Sequence, residues 1–163
     1  MFSGLSQLPE SCLRLFELGG QQDFFLTLPW FENFVLTALA PEERVRIYAM
    51  PASSQESSYA AMLLMRSSVR PESPFSLRKL EALANYYSCF YAPHLNATFE
   101  PQKALDATCR AMAQEKPRWD AIEIKPLDNR SKGFPVLAAA LKNAGYVVQT
   151  FFASGAWNAN STS

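Results

Sequence analysis

Glycine is scarce in this chain of 163 residues: only Gly4, Gly19, Gly20, Gly133, Gly145 and Gly155 occur, so none lies between Gln21 and Lys132. A backbone that wraps closely around a phosphate relies on glycine at several positions, and the long middle of the chain has none to offer. Histidine is scarcer still, with His94 alone, and the three cysteines Cys12, Cys89 and Cys109 show no CxxC spacing. An odd thiol count with one imidazole argues against a disulfide framework and against a structural zinc site, and leaves reduced thiols as the expectation. Fifteen basic and fifteen acidic side chains cancel to a net charge of zero, with lysine and arginine scattered along the chain. No electrostatic footprint for a nucleic acid follows from that balance. Long apolar runs are missing too: Ala60 to Met65 is the longest, far below the ~20 residues that span a bilayer. The N-terminal MFSGLSQLPES has neither the basic segment nor the apolar stretch of a secretory signal. A cytoplasmic protein with no membrane span is expected.

What is present reads as one domain over residues 1–156, followed by a polar tail, 157–163. A chain of this length can bury roughly 70% of the surface that its unfolded form exposes. Met1 to Gln22 reads as an early strand or irregular lead-in that stops at Gly19-Gly20. Thr27 then caps a helix with Pro29 in its first turn, an apolar stripe at Trp30, Phe31, Phe34, Val35 and Ala38, and Pro41 at its end. Arg44 to Met50 alternates, with Val45, Ile47 and Ala49 on one side and Arg44, Arg46 and Tyr48 on the other, as a half-buried strand does. Tyr59 to Arg66 is apolar on both faces, the mark of a strand covered on both sides, and it pairs antiparallel with the first across the polar loop PASSQESS.

The stretch from Leu77 to Glu115 organises the rest: a strand in the second half of Leu77–Tyr87, an aromatic loop, and a helix opened by Pro101. That helix carries its stripe at Ala104, Leu105, Thr108, Cys109 and Met112. Trp119 to Lys125 alternates as another strand. Pro135 opens a further helix, lined by Leu137, Ala140, Leu141 and Ala144 and closed by Gly145 in a left-handed cap. Tyr146 to Phe152, rich in β-branched and aromatic residues, reads as a last strand. The order describes an α/β (α+β) protein with a mixed central sheet and helices on both faces.

Ligands of open α/β sheets gather where a strand hands over to a helix. The loop at that junction holds Tyr86, Tyr87, Phe90, Tyr91 and His94. Their hydroxyls and imidazole either bind a small polar acceptor and take its proton, or are rim aromatics with satisfied polar tips. Cys89 near His94 has the residue types of a thiolate and its base, yet alternate residues of a strand face opposite ways and no orienting Asn or Asp is apparent, so a buried, inert cysteine is expected.

The phrases LPWFENFVLTA (28–38), ANYYSCFYAP (84–93), WDAIEIKPL (119–127) and ALKNAGYVVQTFFASGAW (140–157), in this order of elements, resemble the N-terminal half of tandem GNAT (N-acetyltransferase superfamily) proteins, the Fem-type aminoacyl transferases and the CelD-like cellulose-biosynthesis acetyltransferases. The resemblance implies a GNAT-like sheet and a chain that shapes the acceptor side while a second GNAT half holds acyl-CoA. The family's Q/R-x-x-G-x-G/A turn is missing from Ser88 to Gln102, so no cofactor is expected on this chain. The implied partner is a second GNAT-like domain or another copy of the chain, with the tail 157–163 as the start of a linker.

Overall fold

The computed structural model describes residues 1–52, 58–68 and 77–152. The tail 157–163 with Trp157, and most of the two loops 51–58 and 67–76, lie outside the described residues. Among the described residues, four α-helices and five strands follow in the order α1 (Glu10–Gly20), α2 (Leu28–Thr37), β1 (Glu43–Pro51), β2 (Tyr59–Ser68), β3 (Lys79–Ala82), β4 (His94–Leu95), α3 (Pro101–Gln114), β5 (Ala121–Glu123) and α4 (Gly133–Asn143). The fold is mixed α/β, as the order of sequence patterns predicts.

The sheet is built around β2. Its residues Ala60 to Met65 are all buried, and their apolar side chains leave nothing on either face that needs water. β1 pairs with it antiparallel in the register Ile47↔Leu64, and β3 pairs antiparallel on its other side with Met65↔Ala82. The short β4 also joins β2, with Met62↔His94, and β5 runs parallel to β3 with Leu80↔Ile122. The parallel step from β3 to β5 needs a crossover, and α3 lies within that connection. A register shift between Met50 and Pro51 sets Ala60 as the extra residue of a bulge, which is why both Ala60 and Ala61 join the same core.

Alternation along β2 then divides the interior in two. Ala61, Leu63 and Met65 pack with Leu105, Cys109 and Met112 of α3 and Leu137 and Ala140 of α4. Met62 and Leu64 pack with Leu15 and Phe16 of α1 and Phe31 and Phe34 of α2 on the opposite face. The alternation read in β1 holds, since Val45 and Ile47 enter the α1/α2 core and Tyr48 enters the α3/α4 core. All five residues of the α3 stripe are buried. Thr27 does cap α2, its hydroxyl accepting from Trp30 N at 3.4 Å, although the helix ends at Thr37, ahead of Pro41. Gly145 takes φ of +90°, the left-handed cap expected after α4, where a side chain would be strained.

Three expectations are corrected. Met1–Gln22 contains a helix, α1, with Cys12, Leu15, Phe16 and Gly19 buried at helical spacing, rather than a strand or irregular lead-in. The strand in Leu77–Tyr87 lies in its first half, Lys79–Ala82, because Leu80 and Ala82 face the α3/α4 core while Asn85 bends the chain into a turn. Tyr146–Phe152 forms no strand: high β propensity has no ladder to join there, and Val147, Phe151 and Phe152 stand in solvent. No helix of the described residues is long and apolar enough to cross a membrane.

Candidate functional site

The aromatic loop leaves β3 through a turn built by Asn85. Tyr87 N donates to Asn85 Oδ1 at 2.9 Å, Ser88 N donates to the Asn85 carbonyl at 3.1 Å, and Asn85 N donates to Ser88 Oγ at 3.1 Å. Asn is suited to this because its short amide can stand in for a backbone carbonyl. The turn throws Tyr86 and Tyr87 outward, 96% and 75% exposed, with their rings edge to face at 5.8 Å.

The next two candidates go the other way. Tyr91 is anchored by its backbone N–H on the Pro126 carbonyl at 2.9 Å and sinks into the α3/α4 core, where its hydroxyl donates to the Leu64 carbonyl at 2.8 Å. Burial raises its pKa, so the phenol stays protonated. His94 enters the opposite core, with Phe16 at 4.9 Å and Phe31 at 5.7 Å between ring centroids. Its Nε2 lies 2.8 Å from the Leu26 carbonyl, an acceptor only, so the proton sits on Nε2 and the Nδ1 lone pair is left without a partner. Burial pushes its pKa down to about 4. Tyr86, Tyr87, Tyr91 and His94 are therefore not brought together: two are in solvent, and two lie on opposite faces of the sheet. Cys89, expected to be buried, is exposed, and no bond joins it to His94. Burial lifts Cys12 to about 11 and Cys109 to about 12, which keeps both as inert thiols.

At the amino end of α3, where the strand-to-helix junction would present free amides, Glu100 takes the cap position and pairs with Lys103 at 2.7 Å. Pro101 supplies no N–H. The Glu100–Lys103 pair adds no net positive charge there and Pro101 withholds one amide, so the anion-binding property of this helix start is weakened.

A second arrangement joins β1 to the segment after α3. Glu115 Oε1 pairs with Arg46 at 2.5 Å, and Oε2 accepts from the Tyr48 hydroxyl and from Trp119 Nε1, the latter at 3.1 Å. Arg46 and Arg78 hold their guanidinium groups 5.2 and 4.5 Å from the Trp119 ring centroid. Beside this cluster opens a cleft of about 330 Å³, whose lining includes Met1, Met50, Thr108, Gln114 and Glu115. Both oxygens of Glu115 are committed, and burial together with the bond to Glu115 raises the pKa of Tyr48. The cluster is a clasp rather than an acid–base pair. Sequence reasoning missed it because Arg46 and Glu115 are 69 residues apart and neither belongs to a motif. The one available signal was the polar side of β1, Arg46 and Tyr48, which had to meet something. No group of three or more metal-ligating side chains occurs among the described residues.

Set against protein-family models, curated proteins and solved structures, the chain finds no match in any of the three.

Proposed function

We propose that this chain is a docking domain, the noncatalytic, acceptor-side half of an acyl-CoA-dependent N-acyltransferase whose donor is held by a second domain of related fold. One observation supports this reading over catalysis by the chain itself: at the junction where an α/β protein gathers its ligands, the polar tips of Tyr91 and His94 turn into packed cores, while Tyr86 and Tyr87 project on a hydrogen-bonded turn. Rigidly presented tyrosines suit protein contact, since each buries a large area at small entropic cost. Glu100 at the start of α3 fits a chain that leaves the pyrophosphate to its partner. The free thiols accord with a cytoplasmic location, where reduction is maintained. A related reading, a binding module with no enzyme attached, is favoured by the same outward tyrosines and differs only in what they meet.

Thermal unfolding with and without saturating acetyl-CoA tests the proposal. No shift is expected. A ligand at a hundredfold over its Kd stabilises by ~2.7 kcal/mol, and the corresponding rise in Tm of several degrees would replace the docking domain with a self-sufficient acyltransferase.

A further inference from the structure

Among the described residues, a strand-like segment and the β5 edge of the sheet are both left unpaired in the same chain. After Gly145 the chain turns, Tyr146 N donates to the Leu141 carbonyl at 3.1 Å, and the Arg118 guanidinium sits 5.7 Å from the Tyr146 ring. Beyond that anchor the run Val147–Phe152 carries no charge, and Val147, Phe151 and Phe152 are 92%, 83% and 85% exposed. A β-branched and aromatic run of this kind in water is a template for strand pairing.

The edge is β5. Ala121 N points toward β3, bonding to the Arg78 carbonyl at 3.4 Å, so the intervening Ile122 turns its N–H and C=O away from the sheet. Neither group has a backbone partner among the described residues. The charges flanking this edge cancel one another, two against two, with Glu123 paired to Lys125 at 2.6 Å and to Lys79, and Glu81 paired to Lys79 at 3.1 Å. The Lys125 and Lys79 ammonium groups hold the Glu123 carboxyl down at about 2, so the flank stays neutral through the physiological range. An apolar, uncharged strand meets no repulsion there.

We propose that two copies of this chain pair by exchanging residues 146–152, each copy laying its run along the β5 edge of the other. The occupant is a second copy because one chain supplies both the strand and the edge, and a two-fold operation satisfies both at once. A net charge of zero leaves no long-range repulsion between copies. The inference is independent of the docking-domain reading. A chain that stays monomeric would sink the exchange and leave that reading standing, whereas stabilisation by acetyl-CoA would do the reverse.

Sedimentation velocity of the full 163-residue chain over a range of concentrations is the test. A monomer–dimer equilibrium is expected. Thr150→Pro, at an exposed position, deletes one N–H from each run and raises the dimer Kd by at least about tenfold, because two symmetric ladders each lose a bond. A second check is trapping in a Cys89→Ser background, where a Thr150→Cys chain mixed with a Lys125→Cys chain forms a mixed disulfide dimer when the two positions lie side by side. A monomer at all concentrations, or a dimer that is indifferent to Thr150→Pro and gives no mixed disulfide, overturns the proposal.

Discussion

The two faces of β2 are equally dry, yet the cores that they support differ in kind. On the α3/α4 side the polar groups inside the core are provided for, the Tyr91 hydroxyl by the Leu64 carbonyl and the Trp119 indole by Tyr48 and Glu115, and the unpartnered hydroxyl of Tyr146 lies at the rim, beside Arg118. On the α1/α2 side the imidazole of His94 keeps one nitrogen without a partner. The backbone presses on the same ring, because a Cβ placed on Gly19 would lie 2.9 Å from His94 Cδ2. Burial alone therefore does not decide how a core tolerates acid or substitution. Whether each buried polar atom has a partner, and whether any slack remains around it, decides that.

The largest expected effect comes from breaking the tighter core outright. Phe31, 1% exposed and 5.9 Å from Phe16, should lose about 3–5 kcal/mol on Phe31→Ala in urea unfolding, at least as much as Leu105→Ala costs on the other side. A loss under about 1 kcal/mol would mean that the α1/α2 core is not closed around the ring.

Acid should separate the two cores next. His94 titrates at about 4 in the folded chain and at 6.5 when unfolded. Above the unfolded value both states hold it neutral and it contributes no slope. As the pH falls from 6.5 to about 4, only the unfolded chain takes up the proton, and stability drops by about 1.4 kcal/mol per pH unit. Below about 4 the folded state is protonated as well and this loss stops growing. Glu123, folded pKa about 2, adds its own decline only below its ordinary value of 4.5. His94→Leu should flatten the upper window and leave the lower one, as urea titrations at a series of pH values would reveal.

Gly19→Ala tests the close approach itself, with an expected cost of about 1–3 kcal/mol from overpacking against His94 and Leu26. If calorimetry found the variant as stable as the parent, the contact would be slack. The smallest effect belongs to the other side: Tyr91→Phe should cost about 1 kcal/mol, because the Leu64 carbonyl loses one of two donors and keeps the Leu83 N–H at 2.9 Å, with no change in pH profile between 4 and 6.5.

The same contrast explains what the sequence made legible. The α3 stripe declared itself because Ala104, Leu105, Cys109 and Met112 are apolar at helical spacing and all face one core. The inward face of α1 has the same period, Cys12, Leu15, Phe16 and Gly19, but its last member is a glycine, which apolar counting passes over. Gly19 is small because His94 lies against it, and only tertiary structure knows that. In the final segment the composition was right for a strand and the partner was missing, since propensity describes a residue and a ladder takes two. At the candidate site the sequence marked the aromatic run but carried the strand on to Tyr87, whereas the strand ends at Ala82 and Tyr86 and Tyr87 lie in the turn. It could not tell that Asn85 would send Tyr86 and Tyr87 outward while Tyr91 and His94, three residues apart, entered opposite faces of one sheet.

The clasp at Glu115 also has an optical consequence. Trp119 is 4% exposed, its N–H is tied to Glu115, and two guanidinium groups lie over its ring. Those contacts bring Arg46 and Tyr48 of β1 to the far end of α3, across 69 and 67 residues of chain. In a Trp30→Phe, Trp157→Phe chain, which leaves Trp119 as the one indole, its fluorescence thus works as an indicator of a single event, the closing of the first strand against the third helix. In stopped-flow refolding that signal should appear with the long-range contacts, after local helix formation has already been registered by circular dichroism.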